Sequence, residues 1–454
     1  MALTGIEIFK LLPGGQRPPH PKANCKECGI PTCMAFAMKL AAKQVELAAC
    51  PYVSEESKTK LAESSAPPIR LITLKGPGSS IKAGNEVCLF RHEKTFYNKP
   101  GLFVRVKASQ ANIAAEVAKA DAYKVNYVGM DFTVDGFAVE ADTLSGTSDP
   151  TKFADAVKAV RSATKRPLIL VAKDAKVLEA GAAALPGETP LLYGADSANW
   201  EAMGDLAKKL NAPLAVCADN LDTLADLTDK LKGKGLEDFV IDPSSTKLGA
   251  SIAKYTQIRR LALKNFRALG FPVISFACNA ADEGIAAAQA IAKYAGFVVL
   301  DKFVPELLYG LLVLRENIYT DPQKPIQVTP GIYEINNPKP ESPVLITTNF
   351  SITYFAVANE VEGSGLPAWL LVCDAEGMSV LTAWAAGKFD SERIAKAIKG
   401  FNVASKVSRK RVVLPGHVAV LSGELEAELP DWEIRVGPRE AVDLPGYMKT
   451  ALNN

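Results

Sequence analysis

Between about residue 85 and residue 325, short apolar runs alternate with longer amphipathic stretches. Eight of these runs have the length and β-branched character of buried strands, and each is followed by a stretch long enough for a helix. The predicted strands are residues 102–106, 127–132, 168–171, 191–193, 214–217, 239–241, 273–276 and 297–300. This pattern predicts an α/β fold with a central (β/α)₈ TIM barrel over residues 85–325. A doubly wound sheet of the same elements is the alternative.

The alternation returns on a smaller scale in residues 343–454. Strands are predicted at 344–347, 369–373, 411–414 and 432–436, and helices at 351–361, 379–386, 391–399 and 417–429. We therefore expect a second, Rossmann-like α/β domain at this end of the chain.

Polar segments rich in proline and glycine separate these regions. Residues 58–84 and 326–342 have this composition, and we expect a linker at each place. The first would be a flexible tether with a reach of roughly 30 Å on a random-coil estimate. Several domains are expected in any case, because 454 residues exceed what one hydrophobic core supports.

Charge and hydropathy exclude several classes of function. The net charge of +2 provides no basic field for nucleic acid. No apolar run approaches the roughly 20 residues of a membrane helix, and the opening residues lack the features of a signal peptide. We expect a cytoplasmic protein that binds neither nucleic acid nor a membrane.

Four of the eight cysteines fall within residues 1–57, at Cys25, Cys28, Cys33 and Cys50. This density suits a [4Fe–4S] cluster, and Pro51 beside the last cysteine is common in such runs. A zinc site usually has two Cys-x-x-Cys pairs, and disulfides suit small secreted domains, so both alternatives fit less well. We predict a small cluster domain that the metal helps to stabilise. The remaining cysteines, Cys88, Cys217, Cys278 and Cys373, have apolar neighbours in sequence and are expected to be structural.

The loops that follow the predicted strands of the C-terminal domain are small, polar or rich in Gly and Pro. They comprise residues 347–349, 374–379, 414–416 and 437–439. Since ligands of parallel sheets bind beyond the carboxyl ends of the strands, these loops predict a site for a large planar ligand. None matches Gly-x-Gly-x-x-Gly, which argues against a dinucleotide.

The barrel offers weaker candidates. Polar groups after its predicted strands are Asp131, Asp219, Asp242, Asn279 and Asp301, although acidic residues there also serve as helix N-caps. The chain has only three histidines, so neither a Ser-His-Asp set nor a multi-histidine metal site is evident.

Four short motifs carry a family resemblance. They are the opening Leu3-Thr4-Gly5-Ile6-Glu7-Ile8-Phe9, Cys28-Gly29-x-Pro31-Thr32-Cys33, Cys50-Pro51-Tyr52, and Asp374-x-Glu-Gly377-x-Ser379-x-Leu381-Thr382. With the order of domains, they resemble the large (gamma) subunits of corrinoid iron–sulfur proteins in the carbon monoxide dehydrogenase/acetyl-CoA synthase system. The resemblance covers essentially the full length.

The resemblance implies a methyl-carrying subunit with no catalytic side chain of its own. A Co(I) cobamide in the C-terminal domain would accept a methyl group from methyltetrahydrofolate or a related methyl-pterin through a methyltransferase. It would donate that group to acetyl-CoA synthase in the reductive acetyl-CoA (Wood–Ljungdahl) pathway, and the cluster would return Co(II) to Co(I). The implied partners are a small subunit forming a heterodimer, the methyltransferase, acetyl-CoA synthase/carbon monoxide dehydrogenase and a reductive activator.

The resemblance also implies cobamide contacts. Thr382 would lie below the corrin, with Gly377, Met378, Ser379, Val380 and Leu381 along its edge. Further candidates are Thr348, Tyr354, Pro415, Gly416 and Ala441. No Asp-x-His-x-x-Gly motif is present and His417 lacks an orienting partner in sequence, so we expect a cobalt without a protein histidine ligand. Such a cobalt is easier to reduce.

Two other functions stay open from sequence. The first is an iron–sulfur electron carrier with a non-catalytic barrel. The second is a methyltransferase that binds the pterin in its own barrel, with Asp131, Asp219 or Asn279 in polar roles.

Overall fold

The computed structural model describes residues 3–16, 18, 20–42, 44–127, 130–142, 148–321 and 326–452. The chain divides into two units: Met1–Tyr123 with Val134–Tyr319, and Lys124–Thr133 with Thr320–Asn454. The second unit therefore includes a short insertion from the middle of the first. No helix in the described ranges has both the length and the apolar character needed to cross a membrane.

The N-terminal region contains the helices α1 Gly5–Leu11, α2 Cys33–Ala41 and α3 Glu55–Ser65. The side chains of Thr4 and Thr32 cap the first two helices by accepting backbone N–H groups. The helices enclose a small core that includes Leu12, Phe36 and Leu61. Because Leu61 lies on α3, that helix belongs to the cluster region.

A β-hairpin follows, made of β1 Ile72–Lys75 and β2 Ser80–Ala83. The alternate residues Ile72 and Leu74 point into the barrel interior and are buried there. The segment 58–84, expected to be a flexible tether, thus contains most of α3 and this hairpin. The carbonyls of Ala66 and Pro67 accept hydrogen bonds from Arg267 of the barrel, so little unstructured chain separates the two regions.

In the described part of the chain, ten strands lie between residues 101 and 300: β3 Gly101–Lys107, β4 Val125–Tyr127, β5 Met130–Phe132, β6 Gly136–Glu140, β7 Leu168–Val171, β8 Leu191–Ala195, β9 Leu214–Cys217, β10 Phe239–Asp242, β11 Val273–Phe276 and β12 Ala295–Leu300. The helices of this region are α4 Ile113–Asp121, α5 Pro150–Ala163, α6 Ala175–Ala183, α7 Trp200–Leu210, α8 Leu221–Gly233, α9 Leu248–Leu263, α10 Glu283–Ala292 and α11 Pro305–Tyr319. All of these strands except β4 and β5 are parallel and close into a barrel, confirming the predicted (β/α)₈ fold.

The predicted second barrel strand, residues 127–132, is wrong. Of those residues, Tyr127 ends β4 and Met130–Phe132 form β5, and this antiparallel hairpin belongs to the second unit, where Tyr127 packs on Phe355. The true second strand is β6, whose five residues are all buried. A strand covered on both faces needs a continuous apolar run and not alternation, and β6 has that character over most of its length.

The second unit is built on a five-stranded sheet in the order β13-β15-β14-β16-β17, with β13 antiparallel to its neighbour and the others parallel. Its strands are β13 Gly331–Ile335, β14 Val344–Thr348, β15 Ala368–Cys373, β16 Arg411–Leu414 and β17 Glu433–Val436. Its helices are α12 Ser351–Ser364, α13 Val380–Ala385, α14 Ser391–Gly400, α15 Ser422–Glu428 and α16 Leu444–Ala451. The Rossmann-like prediction holds for the parallel strands, whereas β13 lies within the predicted linker 326–342.

Close packing at the start of β6 gives a stability prediction. A Cβ at Gly136 would lie 2.3 Å from the Phe103 ring and 2.5 Å from the carbonyl oxygen of Pro167. We expect Gly136→Ala to lower the free energy of unfolding by about 1–3 kcal/mol through overpacking. Gly249→Ala, in a helix with open space around its Cβ position, should instead stabilise by about 0.5–1 kcal/mol. Thermal unfolding of both variants checks this, and equal shifts would contradict it.

Candidate functional site

The cysteines at positions 25, 28, 33 and 50 line one small cavity in the N-terminal region. Cys33 is the first residue of α2, and Cys50 follows the short 3₁₀ turn Leu47–Ala49 and is buried. Burial raises the pKa of the Cys50 thiol, and charge on the other three thiols raises it further. No group of three or more His, Cys, Asp or Glu side chains in the described ranges has the arrangement of a single-ion site.

Cys33 is held in place by its neighbours. The Asn24 side chain accepts the backbone N–H of Cys33 at 2.8 Å, and the Asn24 N–H points to the Cys33 Sγ at 3.3 Å. A Cβ at Gly14 would lie 2.8 Å from the Cys33 Cβ, so only glycine fits there without displacement. Backbone N–H groups that point at a sulfur stabilise negative charge on it, as in iron–sulfur centres.

The other four cysteines are elsewhere. Cys88, Cys217 and Cys373 are buried and Cys278 is partly exposed. Burial raises the pKa of Cys217, Cys278 and Cys373 to about 12. Each of these three is therefore a neutral thiol at neutral pH.

A cavity of about 320 Å³ in the second unit lies beyond the carboxyl ends of β14 and β16. From β14 the chain passes to β15 on one side of the sheet and later to β16 on the other. This reversal is a topological switch point, where the helices that follow the two strands leave a crevice between them. Residues of α12, of the start of α13 and of the loop after β17 form its remaining walls.

Two glycines allow the loops at this edge to approach each other. A Cβ at Gly416 would lie 2.5 Å from the carbonyl oxygen of Gly437, and a Cβ at Gly437 would lie 2.9 Å from Val413. The Gly416 N–H donates to the Pro438 carbonyl at 3.0 Å. These contacts fix the loops after β16 and β17 as one wall of the cavity.

Two buried hydroxyl groups at the end of β14 have no hydrogen-bond partner among the residues that the structure describes. They are the Oγ1 atoms of Thr347 and Thr348, whose residues are 1% and 0% exposed. Thr347 lines the cavity, whereas Thr348 does not. An unpaired buried hydroxyl is costly, so the one at Thr347 fits a polar group of a ligand in the cavity.

The structure brings together only part of the predicted cobamide-binding set. Ser379, Val380, Leu381, Pro415 and Ala441 line the cavity. The remaining six, Thr348, Tyr354, Gly377, Met378, Thr382 and Gly416, are not among the lining residues.

Three of these six residues, Tyr354, Thr382 and Gly377, have described contacts or backbone geometry outside the cavity lining. Tyr354 packs against Tyr333 and Phe355, and the Thr382 hydroxyl lies 3.0 Å from that of Ser379. Gly377 lies in the loop before α13, where its φ of +75° favours glycine.

Two further lining residues belong to loops that the sequence predicted for the site, although neither was among the predicted cobamide contacts. Thr347 lies in the loop 347–349 and Arg439 in the loop 437–439. His417, which was not expected to contact the ligand, also lines the cavity, and its Nε2 lies 3.6 Å from the Glu440 Oε1. The position of Thr347 at the end of a parallel strand was the signal in the sequence.

Polar side chains at the mouth of the barrel contact one another. Arg105 contacts Glu140 at 3.3 Å, Asn279 at 3.2 Å and also Asp301. Asp131 is not at this mouth, contrary to expectation, because it lies on β5 in the second unit and pairs with Lys124.

On another part of the mouth, the Tyr193 hydroxyl donates to Asp242 at 2.8 Å. The Tyr193 ring lies 4.5 Å from that of Phe276, centroid to centroid. Burial raises the pKa of both Tyr193 and Asp242. These side chains satisfy one another and leave Asp219, which is exposed, as the remaining barrel candidate.

Comparison with known proteins agrees with this architecture. The profile of the family described as "CO dehydrogenase/acetyl-CoA synthase delta subunit" matches residues 72–448, and that of "Putative Fe-S cluster" matches residues 21–52. The chain is 42% identical over 457 residues to the "Corrinoid/iron-sulfur protein large subunit" of Moorella thermoacetica, with 100% of both chains covered. The chain belongs to the family of corrinoid/iron–sulfur protein large subunits.

Archaeal members of this family are more distant. The "Acetyl-CoA decarbonylase/synthase complex subunit gamma 1" of Methanosarcina mazei is 35% identical over 470 residues, covering 98% of this chain and 97% of its own. The delta-subunit profile begins at residue 72 and omits the cysteine region, whereas the large and gamma subunits align with the chain from end to end. Membership of the large (gamma) subunits therefore describes the whole chain better than membership of the delta subunits.

Among solved structures, dihydropteroate synthase from Thermus thermophilus is similar to the chain with a TM-score of 0.36 and 15% identity. The match covers 54% of this chain and 97% of that one. This likeness is too weak to bear on function.

The contact between Gly416 and Gly437 yields a test of the cavity wall in this large subunit. We expect Gly416→Ala to separate the two loops and lower the stability of the second unit by about 1–3 kcal/mol, since the atoms in its way are backbone. Gly423→Ala, in α15 with open space around it, is the matched control and should be neutral or slightly stabilising. Thermal unfolding measures both. Identical melting curves for the two variants would show that the loops are not tightly apposed.

Proposed function

We propose that this chain is a methyl carrier that holds a cobamide in the switch-point cavity and a [4Fe–4S] cluster on Cys25, Cys28, Cys33 and Cys50. The observation that carries the proposal is the coincidence of the cavity with the edge predicted from sequence. The end-to-end similarity to a protein named for a corrinoid and an iron–sulfur cluster supports it.

The cavity has mostly apolar walls with a few polar groups, and it suits a part of a large ligand that has the same character. Its walls include Leu345, Ile346, Val413 and Leu444 in addition to the Thr347 hydroxyl. The apolar walls would exclude water, and the hydroxyl would orient one polar group of the cobamide. A bound cobamide supplies a cobalt that accepts and gives up a methyl group, and the cluster supplies an electron.

The side chains near the start of α13 are suited to lie against the ring without ligating the metal. The Ser379 and Thr382 hydroxyls bond to each other, and Leu381 is about half exposed. His417 lies at the cavity wall with its Nε2 3.6 Å from the Glu440 Oε1. The proposal of a cobalt without a protein histidine ligand rests on the absence of an Asp-x-His-x-x-Gly motif from the sequence.

The proposed partners follow from the methyl-carrier role. They are a small subunit, a methyl-pterin methyltransferase, acetyl-CoA synthase/carbon monoxide dehydrogenase and a reductive activator. The mutual contacts of Arg105 with Glu140, Asn279 and Asp301 at the barrel mouth favour a barrel that serves as scaffold or docking surface over one that binds the pterin itself. One experiment tests the whole function: the visible spectrum of anaerobically purified protein. Corrinoid bands that change on reduction and methylation are expected, and iron–sulfur absorbance alone would favour the electron carrier.

The cluster assignment gives a cysteine-specific prediction. Wild-type protein should hold about four iron atoms per chain, and Cys33→Ser should lose most of them because a thiolate ligand is removed. Cys88→Ser is the matched control, because Cys88 is buried elsewhere and its thiol donates to the Lys94 carbonyl. Iron analysis and the spectrum of the reduced protein by electron paramagnetic resonance measure the outcome. Equal iron loss in both variants would overturn the ligand assignment.

The two unpaired threonines give a matched pair for the cavity. Thr347→Val should weaken cobamide binding by about 2- to 10-fold, as expected for one hydrogen bond. Thr348→Val removes an equally buried hydroxyl outside the cavity and should leave binding unchanged. Titration of cobamide-free protein with cobalamin measures both affinities. Weakening by Thr348→Val alone would favour the contact that the family resemblance implies.

A further inference from the structure

Asn349 lies at the point where β14 ends, and its backbone is fixed on both sides. Its N–H donates to the Cys373 carbonyl at 2.9 Å, and its carbonyl accepts the N–H of Val328 at 2.9 Å. The residue is 1% exposed. A carboxamide in such a place needs partners for all its polar atoms.

The side chain of Asn349 finds these partners in the loop between β15 and α13. Its Oδ1 accepts the backbone N–H groups of Ala375 at 2.9 Å and Gly377 at 3.0 Å. Its Nδ2 donates to Asp374 at 3.2 Å and to Gln327 at 3.3 Å. Both acceptor sites and both donor hydrogens are used, so the carboxamide fits in only one orientation.

The loop that Asn349 holds has an unusual backbone. Glu376 and Gly377 both have positive φ, at +54° and +75°. Asp374 adds a bond by accepting the Glu376 N–H at 3.0 Å, and a Cβ at Gly377 would lie 2.7 Å from the Gln327 side chain. A conformation that costs energy locally persists when surrounding contacts determine it, and here the Asn349 carboxamide makes three of the hydrogen bonds to the loop, with Asp374, Ala375 and Gly377.

This loop leads directly into the residues proposed to lie along the corrin. Met378 bonds back to Ala375 at 3.1 Å, and Ser379 then begins α13 by accepting the Ala383 N–H at 2.8 Å. A displacement of the loop would therefore move Ser379 and Leu381, which line the cavity.

We propose that Asn349 is a positioning residue for the cobamide, acting through the loop of residues 374–378 and touching no ligand itself. Its carboxamide sets the loop before the cofactor arrives, so that the start of α13 is already in its binding position. This inference rests on the proposed function. Binding to a preformed surface avoids the entropy loss of ordering a loop.

The test uses the full-length chain with Asn349→Ala and Asn349→Asp. The alanine variant loses all four bonds, whereas the aspartate keeps the acceptor for Ala375 and Gly377 but loses both donors and faces Asp374. Asn336→Asp is the matched control, because Asn336 donates to three carbonyls, those of Val361, Glu362 and Leu366, in the same unit and away from the loop.

Two measurements separate positioning from general stability. Hydrogen exchange of the peptide spanning 374–379 in cobamide-free protein should be at least 10-fold faster in Asn349→Ala, with a smaller increase in Asn349→Asp. The dissociation constant for cobalamin should rise at least 10-fold in the alanine variant, and the Co(II)/Co(I) midpoint potential should shift. Asn336→Asp should change none of these, even if its melting temperature falls.

The outcomes test the positioning role of Asn349 separately from the proposed cobamide-binding function. Wild-type exchange rates or wild-type affinity in folded Asn349→Ala would overturn the positioning role. If that variant does not fold, Asn349→Asp and Gly377→Ala, which disturb the same loop, replace it under the same criteria. If wild-type protein binds no cobalamin, the proposed function fails, while the exchange experiment still reports whether Asn349 holds the loop.

Discussion

The reversal of strand order at β14 is the constraint on which the second unit depends. The chain connections from β14 run to β15 on one side and to β16 on the other, and this opens a crevice between the carboxyl ends of β14 and β16. The residue types around it follow from that geometry. Glycine stands where two loops touch at Gly416 and Gly437, and a fully bonded amide stands at Asn349.

Most of the fold could be predicted because its parallel strands are covered on both faces, which leaves short continuous apolar runs in the sequence. The exceptions have physical causes. Within the stretch 127–132, Tyr127 and Met130–Phe132 do lie in strands, but in an antiparallel hairpin of the other unit. The run at β6 is equally apolar, so apolar character alone does not identify the barrel strand. The four residues 76–79 between β1 and β2 carry two glycines and a proline, a composition shared by hairpin turns and linkers.

The candidate site was predicted at the level of loops and less well at the level of side chains. Strand ends predicted the edge of the sheet, and hence Ser379 and Pro415 as cavity residues, whereas Leu381 followed from the family resemblance. The role of Asn349 depends on partners 22 to 28 positions away, whose proximity arises only when β14 and β15 pair. Sequence spacing holds no signal for it. The contacts at the barrel mouth also have no signal in sequence spacing, because Arg105 meets Asp301 only when the first and last barrel strands, β3 and β12, pair.

The hairpin of β4 and β5 makes the boundary of the C-terminal domain discontinuous. Met130 packs against the same apolar cluster as residues of α12 and α16, although it is joined covalently to barrel elements on both sides. A fragment beginning near residue 320 would expose the surface that this hairpin covers. Proteolysis between the barrel and the C-terminal sheet would likewise leave the hairpin attached to the barrel chain, so the two units share part of their folding cooperativity and are not separable modules.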